Sequence, residues 1–503
     1  MEESVDEPGR AARVEEGLTH HGGQAPRGLD AVPKSPSLEG RFGRMFRNLP
    51  IPAPPREAVI ALGNAMPEES RPGAAADNAK IPAAYTYFGQ FVDHDITFDP
   101  VSKLQQFNDP DGLVSFRTPR FDLDSLYGRG PADTPYLYEW LDRDFRGVKL
   151  LAGRNPERDP VDGEELDRQD LPRNQQGRAL TGDPRNDENI IVSQLHLAFI
   201  KFHDRVVDLV AEKKKLKGVA LSDEARRLVT WHYQWVVVHD FLRRIAGDGV
   251  VDDILTTDPA TKLPKVVRRY YTWQDQPFMP VEFSVAAYRF GHSMVRPTYD
   301  LNQTVTGVPI FAGKEPAANR DHLGGFRRLP SLWTIDWSAF VKIGRARPQP
   351  SRAINIRLAK PLMRLPSSVD AARNPLAVLN LRRGKALQLP SGQSVAQHMG
   401  ETPLTSAELE LGKLTPKLSA EHRTLLERDT PLWFYVLKEA EKKAGAERLG
   451  PVGGRIVAEV LIGLLEGDPQ GFLRREPGWR PELIPAAKKG QFTLSDLLKF
   501  ATR

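Results

Sequence analysis

Residues 187–212 read DENIIVSQLHLAFIKFHDRVVDLVAE and carry the clearest secondary-structure signal in the chain. Large apolar side chains recur there every three or four positions, at Leu195, Phe199, Phe202, Val206 and Val210. This spacing places them on one face of an α-helix, as expected for a helix that packs against a core. The turn GDPRN precedes the stretch and can cap the helix at its start. A long, partly buried helix is therefore predicted.

Further helices are predicted from similar spacing, whereas stretches with the alternation of a β-strand are scarce. The helical stretches lie at about 222–246, 281–295, 418–427, 431–445 and 455–466. The segments 100–186 and 296–417 are rich in Pro, Gly, Asp and Arg, and long irregular connections in a compact domain usually mark function or a bound group. The predicted fold class is mainly α, a single large helical domain with long irregular loops and little β structure.

The composition of the 503 residues restricts the possible chemistry. There is no Cys, which excludes disulfides, thiolate ligation of haem, Cys-bound zinc and a cysteine nucleophile. Lys plus Arg number 70 against 65 Asp plus Glu, without long single-sign blocks, so a nucleic-acid partner is not expected. Catalysis must then depend on His, carboxylate, Arg or Tyr side chains.

The chain divides into a polar N-terminal part and one catalytic unit. Residues 1–40 are charged and poor in large apolar residues, so they are predicted to be a disordered tail, and 41–503 to be one domain. The N-terminus has neither the basic nor the apolar region of a secretory signal, and no apolar stretch approaches about 20 residues. A cytoplasmic location without transmembrane helices is the default expectation, with leaderless export as the alternative.

One polar segment, YFGQFVDHDITFDP at 87–100, places Gln90, Asp93 and His94 at positions i, i+3 and i+4. If the segment is helical, these side chains share one face. Asp95 is then rotated by about 100° from His94 and points toward a different neighbour. This pattern suits two adjacent sites, but a solvated helix end would look the same.

Three further motifs carry candidate site residues, and each also has an ordinary structural explanation. The turn TGDPRNDENI at 181–190 contains Arg185 and Glu188, which can also be simple helix-start chemistry. His292 follows Gly291 in AAYRFGHSMVRP, where a flat cofactor could approach, although a lone His on such a face is more often a core residue.

The remaining motif, TPRFDLDSLYG at 118–128, offers oxygen donors at alternating positions. They are the side chains of Thr118, Asp122 and Asp124 and the carbonyl group of Arg120. Alternate oxygens in a short loop are the ligands that Ca²⁺ prefers. The loop lacks the Gly and terminal Glu of an EF-hand, and an Asp-rich turn is the alternative explanation.

Together, in this order, the four segments resemble the animal haem peroxidase family, part of the peroxidase–cyclooxygenase superfamily that includes myeloperoxidase, with the absence of Cys suggesting a bacterial-type member. The resemblance covers about residues 41–503. It implies haem b, with His94 as the distal His that acts on peroxide and His292 as the proximal His that ligates iron. Gln90 and Asp93 belong to the family's distal Gln-x-x-Asp-His-Asp segment, and Arg289 to its proximal Arg-aromatic-Gly-His segment.

The resemblance also implies roles for the other residues. Arg185 and Glu188 match the family's Arg-x-x-Glu pair, in which the Arg would stabilise charge as the O–O bond breaks. Asp95, Thr118, Arg120, Asp122 and Asp124 match its calcium loop. Asp93 and Glu188 match carboxylates that form ester bonds to haem in mammalian members, so covalent haem is a hypothesis. The family supplies an Asn to hydrogen-bond the proximal His, and Gln393, in LQLPSGQ, is the residue predicted at that position.

The activity implied is reduction of hydrogen peroxide through a ferryl intermediate, with oxidation of small phenols and of halides or thiocyanate. The family associates halide binding with the distal Gln, which is Gln90 here. One alternative is a fatty-acid dioxygenase of the same superfamily. In those enzymes a Tyr precedes the proximal His by three residues, where this chain has Arg289, with Tyr288 one step off. The other alternative is a non-catalytic peroxidase-like protein for binding or adhesion, which predicts a damaged site.

Overall fold

The computed structural model describes residues 40–52, 54–68, 76–97, 114–115, 118–153, 169–312, 321–366, 370, 372–416 and 418–502. The predicted tail, 1–40, lies outside the described residues except for Gly40, which begins the first strand.

Helices dominate the part of the chain that the structure describes, which confirms the mainly α class. The α-helices are α1 (Arg56–Asn64), α2 (Ala84–Ile96), α3 (Asp124–Tyr127), α4 (Ile190–Lys214), α5 (Gly218–Val236), α6 (Leu242–Ala246), α7 (Asp248–Ile254), α8 (Leu376–Ala386), α9 (Gly392–His398), α10 (Ser406–Leu409), α11 (Leu411–Leu414), α12 (Ala420–Arg428), α13 (Leu432–Ala444), α14 (Pro451–Gly467), α15 (Phe472–Arg475) and α16 (Leu494–Ala501).

The described strands are short and form only small sheets. They are β1 (Gly40–Gly43), β2 (Asp77–Pro82), β3 (Val114–Ser115), β4 (Leu255–Thr257), β5 (Pro264–Val266), β6 (Met279–Pro280), β7 (Thr298–Tyr299), β8 (Val308–Pro309) and β9 (Pro350–Arg352). β1 pairs antiparallel with β3 and parallel with β6, while β2 with β9, β4 with β5 and β7 with β8 form antiparallel pairs. These pairs fasten loops onto the helical core.

The predicted long helix is α4, which lies in the centre of the fold. All five residues of its apolar stripe are fully buried, and the helix packs against α2, α5 and α16. Its cap is Asn189, whose side chain accepts a hydrogen bond from Val192 N at 2.9 Å. The GDPRN turn instead forms a separate 3₁₀ turn, Pro184–Asp187, capped by Asp183. α4 packs against α2 and supports the residues around His94.

The helix predicted over 281–295 has an unexpected form. Its first part, Glu282–Ala286, is a π-helix and its second part, Ala287–Met294, is a 3₁₀-helix. The two meet at Ala286, whose backbone leaves the helical region (φ −124°, ψ −77°). A 3₁₀-helix has three residues per turn, so Arg289 and His292 lie one above the other on the same face. Such departures from α geometry are frequent at functional sites.

None of the described helices combines the length and apolar character that crossing a bilayer requires.

Candidate active site

The first histidine, His94, is fully buried near the C-terminal end of α2. Its Nδ1 lies 2.8 Å from Asn186 Oδ1, and the Nδ2 of the same Asn lies 2.9 Å from Nδ1 of His196, a buried residue of α4. The His94 ring is therefore held by a side chain from the 3₁₀ turn that precedes α4. Fixing one ring nitrogen decides the direction and the protonation of the other.

The other nitrogen of His94, Nε2, faces Glu188. Nε2 lies 3.6 Å from Glu188 Oε1, which also accepts a hydrogen bond from the amide of Gln90. Gln90 in turn accepts from Asn189 Nδ2 at 3.3 Å. The structure thus brings Gln90, His94 and Glu188 together, because α2 packs against the turn before α4.

Asp93 belongs to the last turn of α2. Arg185, in the 3₁₀ turn before α4, contacts the same end of that helix. Asp93 is buried and accepts a 3.1 Å hydrogen bond from the hydroxyl group of Thr97, the residue that follows α2. The Arg185 guanidinium is buried and pairs with Asp183 at 2.8 Å, and it also donates to the backbone carbonyls of His94 and Thr97 at 3.0 and 2.5 Å. These contacts fasten the C-terminal end of α2 to the turn. The sequence did not predict them, and a role of Arg185 at peroxide stays a prediction.

The second histidine, His292, is half-buried in the 3₁₀-helix, and its partner is Asn380 of α8. Asn380 Nδ2 lies 2.8 Å from His292 Nδ1, and Asn380 Oδ1 accepts from Arg289 Nη1 at 2.8 Å. The Asn380 side chain is fully buried. As placed, the Asn380 NH₂ group donates to His292 Nδ1; with the amide turned over, its oxygen would accept from an Nδ1–H, the form of the imidazole that leaves Nε2 for a metal.

The prediction that Gln393 supports His292 is wrong. Gln393 lies at the start of α9, and its amide group bonds to the end of α12 and to the loop that follows it. Gln393 Nε2 donates to Glu427 O and Thr430 Oγ1, both at 2.7 Å, and Oε1 accepts from Thr430 N at 3.0 Å. These bonds occupy the side chain in a structural contact, while α8 brings the shorter Asn side chain to the His.

The elements that carry the two histidines pack directly against each other. The hydroxyl group of Tyr288, in the 3₁₀-helix, donates to Gly89 O of α2 at 3.1 Å, and Thr86 Oγ1 of α2 lies 3.5 Å from Met294 O. Beside His292, a Cβ built on Gly291 meets no atom within 4 Å. Open space next to an anchored imidazole is the environment that a flat, iron-bearing ring requires, so the residues present fit haem.

A cluster of carboxylates lies behind His94. One ligand atom each from Asp95, Asp122 and Asp124 fall within 4.8 Å of one another, and Asp95 is fully buried. Leu123 adopts a positive φ of 56°, which turns the loop between the two later carboxylates toward Asp95. Burial raises the pKa of Asp122 above its usual value. Three close carboxylates with little access to water can hold a hard cation such as Ca²⁺.

The other predicted calcium ligands stand at the same loop. Thr118 Oγ1 donates to Asp122 Oδ2 at 3.0 Å, and Arg120 N donates to Thr118 O at 2.7 Å, which closes the turn. The loop is joined to the Arg185 turn, since Gly182 N donates to Ser125 O at 2.9 Å. A Cβ at Gly182 would lie 2.3 Å from Asp124 O, so only glycine allows this approach. The loop of the carboxylate cluster and the segment that leads into the 3₁₀ turn Pro184–Asp187 are thus joined by direct contacts.

Sequence reasoning missed the residues that orient the two histidines, Asn186, His196 and Asn380. For Asn380 a signal existed, because it is an uncharged polar residue between the apolar positions Val378 and Leu381 of α8, which are buried. A polar side chain on a buried face needs a partner. Nothing in the spacing of Asn186 and His196 indicates that they form a row with His94, since His94 is 92 positions from Asn186.

Comparison with known proteins identifies the family of the chain. A family model described as animal haem peroxidase matches residues 101–468, which is more than half of the chain. The chain belongs to the animal haem peroxidase family. The family implies bound haem, for which His94 and His292 are the candidate residues. The segment that carries His94 precedes the matched residues, so the assignment of that residue depends on its contacts in the structure.

Curated relatives of this family member are distant. Peroxidasin of Drosophila melanogaster is 22% identical over 419 residues, which cover 78% of this chain and 25% of peroxidasin. The chain spans less than half the length of the curated relatives that it matches.

Solved structures show the same fold. Peroxidase A from Dictyostelium discoideum has a TM-score of 0.54 at 14% identity, with 92% of both chains covered. The fatty acid alpha-dioxygenase of Oryza sativa also has a TM-score of 0.54, at 17% identity, with 90% of this chain and 78% of that chain covered. At such identities the likeness shows the fold alone.

Proposed function

We propose that this protein is a haem peroxidase that reduces hydrogen peroxide and oxidises small donors. The observation that carries the proposal is the pair of anchored imidazoles on packed elements, His94 held by Asn186 and His292 held by Asn380 beside an open space. Haem, when bound, supplies the iron that coordinates peroxide and takes up its oxidising equivalents. His292 Nε2 is the atom that would hold the iron.

The contribution of His94 is proton transfer at Nε2. With haem bound, this nitrogen would accept a proton from one oxygen of peroxide and return it to the departing oxygen, as a general base and then a general acid. Glu188 Oε1, 3.6 Å from Nε2, stabilises the imidazolium by Coulomb attraction while the proton resides there. The burial of His94 excludes bulk water, which would otherwise exchange that proton.

The partners proposed for the site are peroxide, small phenols and halides or thiocyanate. Gln90 is the residue proposed to contact a halide, and its amide is hydrogen-bonded to Glu188 and Asn189.

Covalent haem through Asp93 and Glu188 is a further part of the proposal. Acid-acetone extraction followed by mass analysis of the polypeptide tests it, and complete release of haem would rule it out. The cytoplasm is the proposed location.

The test of the main proposal is the absorption spectrum of the purified protein. We expect a Soret band that shifts when hydrogen peroxide is added. His94→Gln should slow that shift by about 10²- to 10⁴-fold, the usual contribution of a positioned acid–base group. His422→Gln, on α12, is the matched control and should leave the rate unchanged. A protein that takes up no haem with ample iron and haem precursor would overturn the proposal.

The spectral response to peroxide and the uptake of oxygen separate the two alternatives from the peroxidase. A non-catalytic peroxidase-like protein would bind haem without a spectral response to peroxide. A fatty-acid dioxygenase would consume oxygen with linoleate in the absence of an electron donor. The dioxygenase pattern is not matched, because the position three residues before His292 is Arg289, which binds Asn380, and the hydroxyl group of Tyr288 bonds to the carbonyl of Gly89.

A further inference from the structure

Three buried side chains, His94, Asn186 and His196, form a continuous hydrogen-bonded row. The row runs from His94 Nδ1 to Asn186 Oδ1 at 2.8 Å, and from Asn186 Nδ2 to His196 Nδ1 at 2.9 Å. The Asn amide therefore lies between two imidazoles, with its carbonyl oxygen toward the first and its NH₂ group toward the second. The protonation of one end of such a row determines the other.

At the far end, His196 is a neutral imidazole. Burial lowers the pKa of His196 to about 4, and the charge of Asp183 only partly offsets that effect. A neutral imidazole has one N–H and one acceptor nitrogen. Because Nδ1 of His196 accepts the amide hydrogen of Asn186, the proton of His196 resides on Nε2.

At the near end, Asn186 presents only an acceptor to His94. Its NH₂ group is bound to His196, so Oδ1 requires a hydrogen on His94 Nδ1. The lone pair of His94 then lies on Nε2.

The backbone turn that carries Asn186 is also held in place by its neighbours. It sits in the 3₁₀ turn Pro184–Asp187, which Asp183 caps by accepting from Arg185 N at 2.8 Å. At the other end of the turn, Asp187 accepts two hydrogen bonds from Arg173, at 2.7 and 2.9 Å. The turn can therefore not shift easily to give His94 another partner.

We propose that Asn186 and His196 are positioning residues that hold His94 in its Nδ1–H tautomer, so that Nε2 is ready to accept the proton of peroxide. The inference rests on the proposed haem peroxidase function and deepens it. In the opposite tautomer, Nε2 would carry a hydrogen and could not act as the first base. Neither residue touches peroxide, and both act through His94.

The test uses the haem-loaded protein and two probes that report on Nε2. In the ferrous carbon monoxide complex, an N–H that faces the ligand lowers the C–O stretching frequency, whereas a lone pair does not. In the ferric protein, hydrogen cyanide must give its proton to a base as it binds. The infrared band and the cyanide association rate therefore both measure the tautomer, independently of peroxidase turnover.

The variants are His196→Leu and His196→Gln, with Asn186→Asp as a third. His196→Leu removes the acceptor that fixes the Asn186 amide, so the amide can turn and His94 can take the Nε2–H form. We expect the C–O band to move to lower frequency and cyanide association to slow by about tenfold or more. His196→Gln restores an acceptor for the amide and should behave as the wild type. Asn186→Asp keeps an acceptor facing His94, so its C–O band position and its cyanide association rate should also match those of the wild type.

The outcomes separate this inference from the proposed function. If the wild type forms the carbon monoxide complex and responds to peroxide, but folded His196→Leu matches it in band position and in cyanide rate, the inference is wrong and the proposed function stands. If Asn186→Asp folds and binds haem but shows a lower C–O frequency and slower cyanide association than the wild type, the inference is equally wrong. A wild type without a Soret band contradicts the proposed function itself, and the inference with it.

Discussion

The carboxylate cluster behind His94 leads to a prediction in which the effect of a single substitution changes sign with calcium. The perturbation is Asp124→Asn, which removes one negative charge and keeps the size of the side chain. Asp95, Asp122 and Asp124 place ligand atoms within 4.8 Å of one another. Without a cation, each ionised pair repels by about 3.5 kcal/mol at an effective dielectric constant of about 20.

Asp124→Asn removes two of the three repulsive pairs, which relieves about 7 kcal/mol before screening by solvent and local relaxation are counted. Solvent and local relaxation reduce it, and we expect the variant to be more stable than the wild type by about 1–3 kcal/mol in a calcium chelator. With calcium at about 1,000 times its dissociation constant, binding adds about 4.1 kcal/mol to the wild type. The variant, with one charged ligand fewer, gains less.

The assay is the thermal unfolding midpoint of both proteins at one scan rate, in chelator and in increasing calcium. The curves should cross, with the variant above the wild type in chelator and below it in calcium. Asp133→Asn, at an exposed position of the following loop, makes the same charge change and should give no crossing. A wild-type midpoint that calcium does not move, together with a variant that is never the more stable protein, would refute the reasoning.

Three other predictions concern buried polar groups. Asn380→Leu deprives two groups of their 2.8 Å partners, so the unfolding free energy should fall by about 2–4 kcal/mol and haem should dissociate faster, which urea titration and haem transfer to apomyoglobin measure. Arg185→Met leaves the buried carboxylate of Asp183 uncompensated and should cost about 3–5 kcal/mol in urea unfolding, partly recovered by adding Asp183→Asn; equal stability of the single variant and the wild type would contradict the pairing. Burial raises the pKa of Glu439 to about 7 in the folded protein, above its unfolded value, so its contribution to stability is complete below about pH 4.5 and is lost as pH rises through 7, by about 3 kcal/mol in all; Glu439→Gln should flatten that slope between pH 5 and pH 8.

Much of the fold was predictable because it depends on near neighbours in the chain. The apolar stripe of α4 and the stretches that became α12, α13 and α14 follow a period of three to four residues, which local side-chain direction fixes. The π and 3₁₀ windings around His292 were not predictable, since tertiary packing selects them over an α-helix. Helices α1, α8 and α16 were also missed, in segments where the sequence pattern is weaker.

The sequence by itself determined the mainly α class and the order of the motifs that mark the family. It also determined which side chains are available for chemistry, because these properties reside in composition and spacing. Only the tertiary structure decided which of them meet. Asn380 reaches His292 across 88 positions and Gln393 does not, and Arg185 is paired with Asp183 beneath α2. Such contacts depend on how distant helices pack, and spacing along the chain does not encode that choice.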